Sequence, residues 1–148
     1  MAVKILPNQI ENIQQLEAVV AGPDDADRLF IIDGQFLYNV NAYSSGQAFV
    51  SKETFTVLVG PVFTRRQFVR ANATASFTQT VLNINTLPQS TAWQMLGVDA
   101  DWDDESGQVE LRIEAQVNVF GSQNQASILG FGFHVTARMR PSVALHFM

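Results

Sequence analysis

The sequence predicts an all-β fold: an antiparallel β-sandwich or flattened barrel with one short N-terminal α-helix. Three observations predict it. From Leu96 onward, apolar and polar residues alternate with a period of two through three long segments, the pattern of strands that are dry on one face and wet on the other. Turn-forming residues at Gly22-Pro23, Ser44-Ser45-Gly46, Gly60-Pro61 and Pro88 cut the chain into strand-length pieces. Strands with one apolar face need a second layer to bury it, so the sheets must stack or close. The chain has 148 residues, 47% of them hydrophobic and 16% charged. A domain of this size buries about 68–70% of its unfolded surface without staples. It reads as a single domain over 1–148, with a helix at about 9–21 and a β-sandwich at about 28–140.

The helix is placed by "PNQIENIQQLEAVVAGP". Asn8 suits the cap, with Glu11 three residues on as in a capping box. Ile10, Ile13, Leu16 and Val20 recur at helical spacing, and Gly22-Pro23 is a stop signal. After the acidic stretch "GPDDAD" the period changes to two. In "RLFIIDGQFLYNVNA", Asp33-Gly34 separates two apolar runs, and that dipeptide tolerates the positive φ of a type I′ turn. A hairpin pairing Ile32 with Gln35 is therefore expected, with Phe36, Tyr38, Val40 and Ala42 on one face. Phe55, Val57 and Val59 share a face before Gly60-Pro61, and a long extended segment rich in Thr, Phe and Val runs to Pro88.

The last third is the most legible. Leu96, Val98, Ala100 and Trp102 form one apolar row, Val109 to Val119 a second on odd positions, and Leu129 to Ala137 a third. These three strands read as an antiparallel meander. For the first two rows to face the same core, the register must respect their opposite parity, because a one-residue slip turns a strand over. A four-residue loop, Asp104-Glu105-Ser106-Gly107, satisfies this. It pairs Trp102 with Val109, Ala100 with Leu111 and Val98 with Ile113 inside, and Asp101 with Glu110 and Asp99 with Arg112 outside. Gly107 then takes the left-handed position that closes the loop.

This hairpin carries the densest acidity in the chain, five carboxylates between Asp99 and Glu105. Asp99, Asp101, Asp103 and Glu110 copy the ligand spacing of an EF-hand calcium loop. The sixth position holds Asp104 instead of glycine, and the flanks have strand periodicity, which argues against that motif. A looser Ca²⁺-type site on the sheet surface, formed by the same four residues, is the metal reading that survives. As catalytic carboxylates they lack the burial that raises a general acid's pKa.

Other chemistry is sparse. The two histidines are His134 and His146. His134 shares a face with Gly130 and Gly132 and is expected near Arg112 and Glu114, but no nucleophile elbow accompanies it. No Walker or dinucleotide fingerprint occurs. Gly130 and Gly132 on one strand face, with Phe120 and Ile128, predict a shallow apolar depression for a second subunit or partner, so Phe120, Ile128, Gly130, Gly132 and His134 are the interface candidates. An interior lined by Phe36, Tyr38, Phe131 and Phe133 is the place for a small apolar ligand.

Composition narrows the function. A formal charge of −5 argues against nucleic acid, where a basic footprint is expected, and Arg65, Arg66 and Arg70 read as a solvated face. The absence of cysteine excludes disulfides, thiolate metal sites and a Cys nucleophile. "MAVKILPNQIENIQ" lacks the apolar core of a signal peptide, so the expected location is cytoplasmic or non-classically exported. No apolar run reaches the ~18 residues of a membrane helix. The expectation is a non-enzymatic structural or interaction module, with no cofactor, that forms a homo-oligomer or docks a protein partner through a sheet face or edge. The alternative is a binding module for a small hydrophobic ligand or a Ca²⁺-type cation.

Overall fold

The computed structural model describes residues 2–21 and 26–141. Two four-stranded sheets stack face to face. The strands are β1 (Val3–Ile5), β2 (Ile10–Ala21), β3 (Ala26–Tyr43), β4 (Phe49–Val59), β5 (Phe68–Asn83), β6 (Ser90–Trp102), β7 (Val109–Phe120) and β8 (Gln125–Met139). One sheet has the order β1-β4-β7-β6 and the other β2-β3-β8-β5. All neighbours are antiparallel except β1 and β4. The expected two-layer β architecture is present, as a sandwich whose sheets remain separate.

The expected helix at 9–21 is absent. A single 3-10 turn, Pro7–Gln9, leads directly into β2, and no α-helix occurs among the described residues. Gln9 closes the turn: its N–H donates to the Leu6 carbonyl at 2.9 Å, and its side-chain oxygen accepts from the Leu6 N–H at 2.8 Å. β2 then runs antiparallel along β3, from Ile10 opposite Phe36 to Ala21 opposite Ala26. Helix propensity is a weak preference, and Ile, Val and Gln hydrogen-bond equally well to an open sheet edge. The spacing that suggested a helix has a different origin. A bulge places Asn12 (φ 51°) and Ile13 together opposite Gly34, so the face of the strand changes within the segment.

Asp33-Gly34 makes no turn. β3 passes straight through it, with Asp33 opposite His134 and Gly34 opposite Phe133. Gly34 is required by packing: a Cβ there would stand 2.5 Å from Cζ of Phe133 and 3.1 Å from Cγ2 of Ile10. The ring of Phe133 occupies the space that a side chain at 34 would need.

β3, β4, β7 and β8 hold the centre. Phe36, Phe55 and Phe131 are fully buried, with centroid separations of 5.0 Å for Phe36–Phe131 and 4.8 Å for Phe55–Phe131. Every odd residue from Val109 to Val119 is buried beneath them. β6 and β7 form the expected hairpin, but the expected three-strand meander stops there. β8 belongs to the opposite sheet. The chain crosses between layers at 121–124, where Gly121 and Gln123 have positive φ. The crossing is sealed by the buried Asn124: its Oδ1 accepts from the N–H groups of Asn85 (2.6 Å) and Thr86 (3.0 Å), and its Nδ2 donates to the carbonyls of Thr86 and Phe120 (both 3.1 Å). Trp93 on β6 ties the layers together by donating from Nε1 to the Ser127 carbonyl at 3.1 Å.

Candidate functional site

The acidic hairpin has the register expected from parity. Trp102 pairs with Val109, Ala100 with Leu111, Val98 with Ile113, Asp101 with Glu110 and Asp99 with Arg112. The loop closes through Asp103 N–H to the Gln108 carbonyl and Gly107 N–H to the Asp103 carbonyl, both 2.8 Å, with Gly107 at φ 73°. The four carboxylates do not converge. Asp103 turns into the loop, where Oδ2 accepts from the Ser106 hydroxyl (2.6 Å) and the Ser106 N–H (3.0 Å). The hydroxyl contact, then the N–H, hold its carboxyl below the usual aspartate range. Asp101 accepts from the Trp102 N–H at 2.7 Å. Among the described residues no three His, Asp or Glu side chains are grouped to hold a metal. Neighbours on one strand face point the same way but sit about 7 Å apart along it, twice the 3.4 Å rise, so sequence spacing alone makes no cage here.

The interface candidates are likewise dispersed. Leu129 is left unpaired between Ile128 and Gly130 in both ladders of β8, which turns Ile128 into the core, where it is fully buried. Ile128 therefore shares no exposed face with Gly130 and Gly132. Phe120 lies at the end of β7 in the other sheet. The Gly130 position is occupied by Thr78, whose Oγ1 stands 2.3 Å from where a Cβ would be. The expected apolar depression is thus filled or divided. Phe36, Tyr38, Phe131 and Phe133 pack against one another and against Phe55, which fills the proposed interior ligand site with side chains.

His134 lies on the outer face of the β2-β3-β8-β5 sheet, and Arg112 and Glu114 lie on β7 in the other sheet, so they do not meet. Its partner is Asp33, directly across the β3–β8 ladder, whose Oδ1 accepts from Nδ1 at 2.5 Å. The two side chains are 46% and 51% exposed. They lie in an open groove of about 640 Å³ that also includes Asn12, Gln14, Gln35, Ser76 and Phe133. Water reaches both members of the pair. His146 lies outside the described residues.

A different feature stands out once the strands are in place. β2 is the terminal strand of its sheet, and none of Ile10 to Val20 is buried. Ile13, Leu16 and Val19 are 53%, 66% and 68% exposed. The opposing layer ends at the three-residue β1, so among the described residues most of β2 extends past the sandwich with no second layer under it. Its far edge faces no strand among the described residues, and alternate residues of an edge strand turn their N–H and C=O groups outward.

The devices that usually blunt an edge are scarce on β2. From Gln14 to Ala21 the ladder is uninterrupted and contains no proline or lysine. The one charge in that stretch, Glu17, is neutralised by Arg28 at 2.8 Å. The other long terminal strands are better protected. β5 has three register shifts, and β6 has one shift plus Asp99 and Asp101. The sequence does contain the signal, Ile13, Leu16 and Val19 without Lys or Pro, but it becomes legible only when the segment is a strand.

Comparison with family models, with curated proteins and with solved structures returned no match. Among the described residues no helix is long and apolar enough to cross a membrane.

Proposed function

We propose that this chain is a non-enzymatic interaction module that associates with protein through the open edge of β2. The observation that carries the reading is a regular edge of eight residues, Gln14 to Ala21, that carries exposed Leu16 and Val19 and follows exposed Ile13. An added strand would satisfy the outward N–H and C=O groups and bury those side chains, the two gains of strand addition. The exposed setting of Asp33 and His134, and the separation of the hairpin carboxylates, favour this reading over a catalytic one.

Light scattering combined with native mass spectrometry over a range of protein concentrations tests it. Association that disappears in the Leu16→Lys variant is the expected result, since lysine at an edge opposes strand addition. A strict monomer with a small molecule bound would overturn the reading, as would an oligomer unaffected by Leu16→Lys.

A further inference from the structure

Resting on the reading of β2 as an interaction edge, we infer that its occupant is a second copy of the same strand, paired antiparallel about a two-fold axis through Leu16. The side chains of β2 are arranged symmetrically about that residue. Ile13 and Val19 lie three positions to either side, and all three are more than half exposed. Antiparallel pairing centred there puts Leu16 against Leu16 of the second copy and Ile13 against its Val19, and the same contact repeats with the roles exchanged. That is the self-complementarity an isologous interface demands.

The charges fit the same register. Glu17, the one carboxylate of the regular edge, falls opposite Gln15 of the second copy, so no carboxylate within the pairing faces another. A shift of two positions toward the C-terminal end, which centres the pair on Glu17, would set Glu17 directly against itself, and like charges so placed repel. Facing is also consistent. Leu16 lies opposite Ile31 on the outer side of the sheet, and Gln15 lies opposite the buried Ile32 on the core side. A two-fold axis perpendicular to the sheet preserves these sides, so outer residues meet outer residues. The product is one continuous eight-stranded sheet with the order β5-β8-β3-β2-β2-β3-β8-β5. The bulge at Asn12 and Ile13 ends the regular pairing at one end of the strand in each copy.

Cysteine cross-linking of the full chain tests the register, because the protein has no cysteine of its own. Directly opposed Cβ atoms lie about 4.5–5.5 Å apart, close enough for a disulfide after small adjustment. Under copper-phenanthroline oxidation, Leu16→Cys should form a covalent dimer. Val19→Cys alone should not, because its two copies would be six positions, roughly 20 Å, apart. Mixing Val19→Cys with Ile13→Cys should restore the cross-link. All three positions are exposed, so the variants keep the fold, and circular dichroism verifies this. A dimeric parent in which Val19→Cys cross-links and Leu16→Cys does not has a different register, which overturns this inference and leaves the edge reading intact. A dimer that none of the three cross-links associates through another surface. A parent that stays monomeric at every concentration overturns the second copy as occupant, whatever the cysteine variants do.

Discussion

β2 and β7 are both twelve residues long, yet one has no buried residue from Ile10 to Val20 and the other buries every second side chain. β7 lies between β4 and β6 and beneath the opposite sheet, so its odd residues from Val109 to Val119 are at most 1% exposed. Among the described residues β2 has a neighbour on one side only, and only the three-residue β1 ends the layer opposite it. The apolar content of the two strands is similar. The difference lies in spacing: a period of two in β7, where one face meets a core, and steps of three in β2, where no face does. A large apolar side chain on an uncovered strand contributes little to folding and is free to contribute to association.

The largest effect expected from this contrast comes from truncating one leucine in each strand. Leu111→Ala in β7 removes a fully buried side chain and should cost about 2–5 kcal/mol of stability. Leu16→Ala in β2 should change the stability of the monomer by no more than about 0.5 kcal/mol. Urea denaturation at low protein concentration measures both. Comparable losses would mean that β2 is covered in the folded monomer, and the contrast would collapse.

Next in size is the crossing that separates β7 from β8. Asn124→Ala removes a fully buried side chain and all four of its hydrogen bonds to the part-buried backbone groups of Asn85, Thr86 and Phe120. The loss should be on the order of 3 kcal/mol. Asn124→Asp supplies the two acceptor bonds but not the two donor bonds, so it should recover only part of the loss. Full recovery would show that the contacts to the Thr86 and Phe120 carbonyls are unimportant to the corner.

Gly34 sharpens the comparison from the β3 side. Adding a methyl group there drives it into the Phe133 ring, and overpacking of this kind costs about 1–3 kcal/mol. Phe133→Leu costs stability alone but should soften the effect of Gly34→Ala, because the two positions share one space. Strict additivity in a double-mutant cycle would refute the packing account of this glycine.

These cases show where the sequence was readable. The β6–β7 hairpin was legible because Trp102 and Val109 sit at opposite parity on either side of a short loop, and only a few registers put both rows in the core. The paired layers were legible for the same reason, since every long alternating strand demands cover. What misled was local. Asp33-Gly34 has turn chemistry, but the glycine answers a contact with Phe133 about a hundred residues away. Ile10, Ile13, Leu16 and Val20 fit a helical stripe, and nothing local shows that residues 26–36 offer them a sheet edge. The depression expected from Phe120, Ile128, Gly130 and Gly132 failed because one unpaired residue, Leu129, reverses the face of the strand. The open edge itself depended on knowing how short β1 is, a property of the opposite layer.

The smallest expected effect lies in the acidic hairpin, the β7 end that most resembles a binding loop. The Ser106 hydroxyl and N–H stabilise the ionised form of Asp103, so its folded-state pKa lies below its unfolded value. For a depressed pKa, the stabilisation is complete above the unfolded value of about 4 and is lost as pH falls through the lower folded value. The melting temperature of the parent should therefore fall more steeply between about pH 5 and pH 2 than that of Asp103→Asn; Asp101→Asn is the second variant to be compared in calcium. Ca²⁺ should leave all three curves unmoved, because Asp103 is held by Ser106 inside the loop and no three carboxylates are grouped among the described residues. A calcium-dependent rise in the parent that is absent in both variants would instead mean that these carboxylates gather around a cation, and the hairpin would become the second interaction site of the molecule.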